Sequence, residues 1–314
     1  MTITTARGTE GASAAPAAPR AARRAARLRE ALVGWGFITP NLILMSLFLF
    51  VPIVWAIQLS FQETRGFGDP EWVGLDNYIK MAGDPVFWQS FGNTMVFTIV
   101  TVPIDMAAGL GLAVLLNSVL PARGAFRTMI VLPMVISGVA TGMIAVIMFY
   151  QTNGIINKVL EAIGLSPIAW QSEGIPAMIS VMMVSVWLRV GFNMIIYLAG
   201  LQGISPELYE AARIDGASRW QQFRSITVPL VGPSTFFLLI MNVIASFQVF
   251  DLIFVMTGGG PGNSTSVLVT YAYRNGFQIR EQGYGAAIGV VILIITLIFT
   301  FIQWKTSRTR DLVE

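Results

Sequence analysis

Apolar residues follow one another along this chain in long, nearly unbroken stretches instead of the one-sided stripes of a soluble protein. Six stretches stand out, running roughly Gly36 to Ser60, Phe91 to Leu120, Thr128 to Gln151, Ile175 to Gly200, Pro233 to Met256 and Gly285 to Trp304. A helix rises about 1.5 Å per residue, so about 20 apolar residues cross the roughly 30 Å hydrocarbon layer of a bilayer. Each stretch meets that length. Backbone amides in lipid must pair within their own segment, which predicts helices and excludes open strands. The alternation of an outer-membrane barrel is absent. The expected fold class is therefore an all-α membrane protein with six transmembrane helices over residues 31–305.

The polar residues between the stretches set the orientation. Cytoplasmic connections retain Lys and Arg. One set of connections holds most of the 20 basic residues: Arg7, Arg20, Arg23, Arg24, Arg27 and Arg29 at the N-terminus, Arg123 and Arg127, then Arg213, Arg219 and Arg224, then Lys305, Arg308 and Arg310. The opposite set holds only Arg65, Lys80, Lys158, Arg274 and Arg280. Both termini are therefore expected in the cytoplasm. Residues 1–30, rich in Ala, Gly, Pro and Arg without apolar periodicity, read as a disordered basic tail, with Ala21 to Glu30 as a candidate surface helix; residues 306–314 form a second tail. The first apolar stretch is longer than the core of a secretory signal and lacks a small-residue cleavage site after it.

Composition narrows the chemistry. Residues are 54% hydrophobic and 12% charged, about half the charged share of a soluble domain. There is no Cys and no His, which removes disulfides, the commonest metal ligands and the commonest general base. No metal site and no catalytic residue is expected. The net charge of +3 does not point to nucleic acid, because the Arg20 to Arg29 stretch lacks interleaved aromatics and stands before a membrane span. Small residues four apart, Ala107 and Gly111, Gly138 and Gly142, Gly285 and Gly289, allow helices to approach closely. Internal packing and packing against a second subunit both fit them.

The fourth connection, residues 203–232, has more local order than a loop needs. Ser205, Pro206 and Glu207 make a strong helix start. Gly216 can end that helix in a left-handed conformation, and Ser218 with Gln221 forms a capping box for a second. Ala211 and Ala212 keep one face small enough for another protein to come close.

Glu210, Ala211, Ala212, then Gly216, then Ile226, Val228 and Pro229 closely resemble the E-A-A, three residues, G, nine residues, I-x-L-P motif of ABC importer permeases, with Val228 in place of the usual Leu. Val73 to Tyr78 resembles the V-G-L-x-N-Y element of the same family, and Thr257 to Pro261 its T-x-G-G-P segment. The chain is thus identified as similar to the carbohydrate-uptake branch of these permeases over about residues 35–305, maltose-transporter permeases among them. The resemblance implies a multi-pass protein of the bacterial plasma (inner) membrane that imports a sugar or sugar-like solute. It implies two cytoplasmic ATPase subunits as partners, with ATP and Mg2+ bound there and no cofactor on this chain. It also implies a second, homologous permease chain and an extracytoplasmic solute-binding protein. Glu210, Ala211, Ala212, Asp215, Gly216, Ile226 and Pro229 would carry the coupling to the ATPase. The lysines agree with this division of labour, since none of Lys80, Lys158 and Lys305 follows a glycine as a phosphate-binding loop requires.

Extended without gaps from the E-A-A segment, the resemblance places Ser185, Leu188, Arg189 and Phe192 on a solute-facing surface, with Asn242, Ala245, Ser246 and Val249 on another. Charged groups inside lipid need a partner, water or a purpose, which adds Asp251 and Asp105 as candidates. Alternatives stay open here. Phe192 is either a wall for a sugar ring or ordinary packing, and Asn242 and Ser246 either meet solute or bridge helices. Arg189 either meets solute or pairs with Asp251 or Asp105; Asp105, two residues after Pro103, reads first as structural. If Arg189 faces the cavity, a glycerophosphate or sugar phosphate becomes a candidate solute. The rival reading from another class is a proton-coupled secondary carrier using Asp105 and Asp251.

Overall fold

A computed structural model describes residues 20–64, 68–118 and 121–308. Most of the two expected tails, residues 1–19 and 309–314, lies outside the described residues, as do Arg65 and Leu120. The chain divides into two compact units, one ending at Trp55 and one beginning at Ala56.

In the first unit, helix α1 (Arg20–Met45) passes through a π-helical turn (Ser46–Phe50) into α2 (Val51–Leu59), within which that unit ends. The expected surface helix from Ala21 is thus continuous with the first apolar stretch. Trp35, Phe37, Leu47, Phe48 and Val51 are exposed, as suits a helix whose solvent is lipid.

The second unit opens with a short antiparallel pair, β1 (Gln62–Glu63) and β2 (Glu71–Trp72), followed by α3 (Asp76–Ala82). Asn77 ties this element together, donating from Nδ2 to the carbonyls of Ser60 and Gln62, both at 2.9 Å. Gly74, at φ +60°, supplies the turn between β2 and α3. Then come α4 (Pro85–Asn117), α5 (Arg123–Val135), α6 (Gly138–Met148), α7 (Ile155–Ala162) and α8 (Gly174–Gln202). The fourth connection holds α9 (Pro206–Ile214), α10 (Arg219–Gln222), a π-helical turn and α11 (Val228–Leu230). Helices α12 (Gly232–Phe247), α13 (Asp251–Met256), α14 (Leu268–Tyr273) and α15 (Gln282–Arg308) complete the described chain.

Among the described residues, five helical segments are long and apolar enough to cross a membrane: Glu30–Leu59, Pro85–Asn117, Gly174–Gln202, Gly232–Met256 and Gln282–Lys305. The third apolar stretch differs from the straight helix that composition predicts. It breaks at Ile136 and Ser137, where the backbone turns extended, and α5 and α6 meet at 100°. Pro133 cannot donate to the ladder, and Gly138 restarts the helix after the break. Counted as one broken span, the pair brings the number to six. The fifth stretch is broken too, between Phe247 and Asp251.

Helices α4 and α8 share the most extensive packing in the second unit. Gly109 makes it possible, because a Cβ there would lie 2.4 Å from Asn193 Cβ and 3.1 Å from the Asn193 carbonyl carbon. Gly191 does the same for α8 on α5, where a Cβ would meet Ile130 O at 2.5 Å. Of the small-residue pairs read from sequence, Gly138 and Gly142 approach Asp251 and Val255 of α13, and Gly285 approaches Gly276. Added Cβ atoms at Gly111 and Gly289 would meet open space. Hydroxyls inside α4 return to their own helix, Thr94, Thr98 and Thr101 donating to the carbonyls four residues earlier, which satisfies them where no water is at hand.

Asp84 fixes one end of the bundle. It caps α4 by accepting from the amides of Val86 and Phe87, and its Oδ2 accepts from Tyr271 Oη at 2.5 Å and Tyr284 Oη at 2.6 Å. One carboxylate thereby joins α4, α14 and α15. Burial works to raise its pKa, but the two tyrosines and two amides outweigh it, and the carboxyl sits below its ordinary value. A depressed pKa contributes stability that is complete above the unfolded carboxylate value of about 3.9 and is lost as pH falls through the lower folded value. Asp84→Asn should therefore lower stability at pH 7 by about 1–3 kcal/mol. The gap from wild type should narrow as pH falls below the ordinary carboxylate value, read as melting temperatures of the detergent-solubilised protein.

Candidate functional site

A cavity of about 320 Å³ lies where the two broken stretches meet α4 and α8. Phe97, Thr101 and Asp105 of α4 form one wall and Ser185, Leu188 and Arg189 of α8 another. Asn242, Ala245 and Ser246 of α12 form a third. The breaks themselves close the remainder, with Gly138 at the start of α6, and Gln248, Val249 and Phe250 leading into Asp251 of α13. Residues at both breaks thus contribute to the lining. The size is at the lower end of that of small-molecule sites.

The polar groups in the wall are ordered by one another. Asn242 Oδ1 accepts from Arg189 Nη2 at 3.0 Å, and Asn242 Nδ2 donates to Asn193 Oδ1 at 2.6 Å. Asn193 in turn donates to the Arg189 carbonyl at 3.1 Å. Ser246 Oγ shares a hydrogen bond with Thr98 Oγ1 at 2.9 Å. Asn242 and Ser246 thus bridge helices and line the cavity at once. Arg189 Nε lies 3.9 Å from Asp105 Oδ2. Of the two carboxylates open as partners, Arg189 approaches Asp105; Asp251 is exposed and packs against Gly138 instead. Arg189 retains a side chain 30% exposed, turned to the cavity it lines.

Phe192 departs from the solute-facing surface on which it was placed. It is packed with Ala113, Met194 and Leu238 in a separate apolar cluster and does not line the cavity. Helical spacing puts Phe192 below Ser185, Leu188 and Arg189. One turn on, however, α4 and α5 close onto α8 through Gly109 and Gly191, so the cavity ends before it reaches that ring. Sequence reasoning also passed over Thr101, Gln248 and Phe250. Thr101 and Phe250 carry no signal separating them from other span residues, whereas Gln248 is a polar residue at the end of an apolar run and could have been found.

At the other candidate site, the loop forms as its local chemistry dictates, with one exception. Ser205 makes no side-chain cap, and Pro206 and Glu207 alone mark the start of α9. Gly216 is left-handed at φ +77°, and Ala217 N donates to Ala212 O at 2.8 Å, closing the helix end. Ser218 and Gln221 exchange both capping hydrogen bonds. Within the loop, Tyr209 Oη shares a 2.9 Å hydrogen bond with Thr227 Oγ1, and Tyr209 and Ile226 pack the loop against the apolar cluster of α4, α8 and α12. Glu210, Ala211, Asp215, Gly216 and Pro229 are exposed, while Ala212 is half-buried. Ile214, 86% exposed, and Trp220, 67% exposed, stand beside them. Those two apolar side chains were not among the residues singled out from sequence, although an Ile and a Trp within a polar connection are a readable signal.

Among the described residues no group of three or more acidic side chains is placed to hold a metal ion.

Residues 105–305 match the model of the family described as binding-protein-dependent transport system inner membrane component. The chain is similar to the lactose transport system permease protein of Rhizobium radiobacter, 38% identical over 88% of this chain and 94% of that protein. It is similar to the trehalose/maltose transport system permease protein of Thermococcus litoralis, 34% identical over 90% of this chain and 96% of that one. In fold it superimposes on a chain of a bacterial ABC transporter involved in import of the acidic polysaccharide alginate. The TM-score is 0.81 at 25% identity, covering 91% of this chain and 99% of the other.

Proposed function

Because this chain belongs to the family of binding-protein-dependent transport system inner membrane components, we propose that it forms half of an ATP-driven pathway for a sugar. It is an ABC importer permease for sugar or oligosaccharide uptake, a reading supported by that membership and by its sugar-carrying relatives. This reading gives it a second permease chain, two ATPase subunits on the cytoplasmic side and a binding protein that delivers solute from outside. It places the chain in the bacterial inner membrane with both termini in the cytoplasm.

The observation that carries the reading is the loop around Glu210. Its exposed face joins the carboxylates of Glu210 and Asp215, the small Ala211 and the apolar Ile214 and Trp220, while Tyr209 and Ile226 pack its other face against the helices that wall the cavity. A rigid element held in this way transmits displacement from a partner to the bundle as a body. ATP binding and hydrolysis on the partner would then open the cavity to one side and the other in turn. Arg189, Asn242, Ser185, Leu188, Ser246, Val249 and Asp251 would meet the solute on its way. In this reading the chain is a transport subunit, with hydrolysis and its Mg2+ left to the ATPase.

Co-expression with candidate ATPase and permease subunits tests the proposal, read as copurification and ATP-dependent sugar uptake. Wild-type complex should take up solute only with ATP, and Glu210→Ala should reduce uptake about tenfold, as loss of one charged hydrogen bond to a partner does. Uptake by this chain without any ATPase would sink the proposal.

A further inference from the structure

Asp105 carries chemistry that the transport reading leaves unused. It lines the cavity from α4, is 1% exposed, and its Oδ1 has no hydrogen-bond partner. Its other oxygen faces Arg189 at 3.9 Å, too long for a hydrogen bond and short enough for charge balance. Buried carboxylate oxygens are ordinarily satisfied, so an empty one beside a cavity marks a place for a donor.

The charges in the wall point the same way. Arg189 is the cation that lines the cavity, and the carboxylates Asp105 and Asp251 line it too. The guanidinium is already balanced by Asp105 and engaged by Asn242 Oδ1, with other N–H groups left over. An anionic solute would meet an arginine whose charge is spent and two carboxylates that repel it. An uncharged sugar meets an acceptor next to a donor, which suits two neighbouring hydroxyls, one donating to Asp105 Oδ1 and the other accepting from Arg189.

We propose that Asp105 sets the solute class of this pathway: with Arg189 it accepts the hydroxyl pairs of uncharged sugars and turns away sugar phosphates and uronates. The inference rests on the transport reading above. It also answers the question left open by an arginine in a span, since a cavity-facing Arg189 with Asp105 at its side no longer favours a phosphorylated solute.

The test measures binding of methyl glucoside, lactose, glucuronate and glucose 6-phosphate to the purified membrane complex without binding protein, by saturation-transfer NMR. Wild type should prefer the uncharged sugars to the two anions by about tenfold or more. Asp105→Asn, nearly the same in shape, should shrink that preference about tenfold, and adding Arg189→Gln should restore discrimination against anions. If Asp105→Asn does not assemble, Asp105→Ser carries the test, because it too removes the carboxylate beside Arg189 and should shrink the preference. An unchanged ratio in an assembled variant of either kind overturns the proposal and leaves the pathway standing. Sugar binding that is absent from wild type, or that survives Ser185→Trp filling the cavity, overturns the pathway reading itself.

Discussion

Uptake should fall to background in Gly216→Pro while the membrane bundle stays folded. Gly216 sits at φ +77° and donates its amide to Arg213 O at 3.1 Å. Proline is confined near φ −65° and has no amide hydrogen, so the turn between α9 and α10 cannot form. Space is not the obstacle, because a Cβ at Gly216 would meet nothing within 4 Å. The cost is therefore purely one of backbone conformation, and a graded series follows. Gly216→Asn, tolerant of the left-handed region, should transport nearly as well as wild type. Gly216→Ala should cost about 1–2 kcal/mol of loop order and reduce uptake several-fold. Pull-down of the ATPase should fall in the same order, with an unchanged melting temperature of the membrane domain. Full uptake by Gly216→Pro would show that this turn does not couple the chain to its partner.

The second large effect concerns the contact between α4 and α8. Gly109→Val should destabilise the bundle by at least about 1–3 kcal/mol, the usual range for overpacking. The clash is with Asn193 Cβ and the adjoining backbone and not with a flexible tip, so relief requires the helices to part. Asn193 is also bonded to Asn242; parting therefore disorders the polar wall of the cavity, and sugar binding should weaken together with the melting temperature. Gly111→Ala is the control. It adds a methyl group to open space on the same helix and should leave the stability of the isolated chain unchanged, measured by thermal unfolding in detergent. Equal melting temperatures for Gly109→Val and Gly111→Ala would contradict this account of the packing.

The contrast between Gly109 and Gly111 also shows how far the residues speak for themselves. The four-residue spacing drew attention to Ala107 and Gly111, yet the close approach is made by Gly109. In a soluble helix the buried face is the apolar one. In a span both the lipid and the neighbouring helix accept apolar side chains, so hydrophobic pattern does not tell the two faces apart. Phe192 lies outside the cavity lining for a related reason. Its spacing from Ser185, Leu188 and Arg189 was right for a shared face, but how deep a cavity runs along that face depends on where α4 and α5 close upon α8.

Composition and local order alone determined that this is a helical membrane protein, where its apolar stretches begin and end to within several residues, and how residues 206–222 would turn. The reason is that crossing lipid sets a length each segment must meet by itself, and that caps and left-handed glycines act between residues a few positions apart. Tertiary structure alone decided that a cavity opens where the breaks of the third and fifth stretches meet α4 and α8. It also decided that Arg189 turns to Asp105, 84 positions away in the chain, instead of Asp251. Those outcomes depend on the rotation of one helix against another, which distant residues such as Gly109 and Gly191 permit and which no single segment encodes.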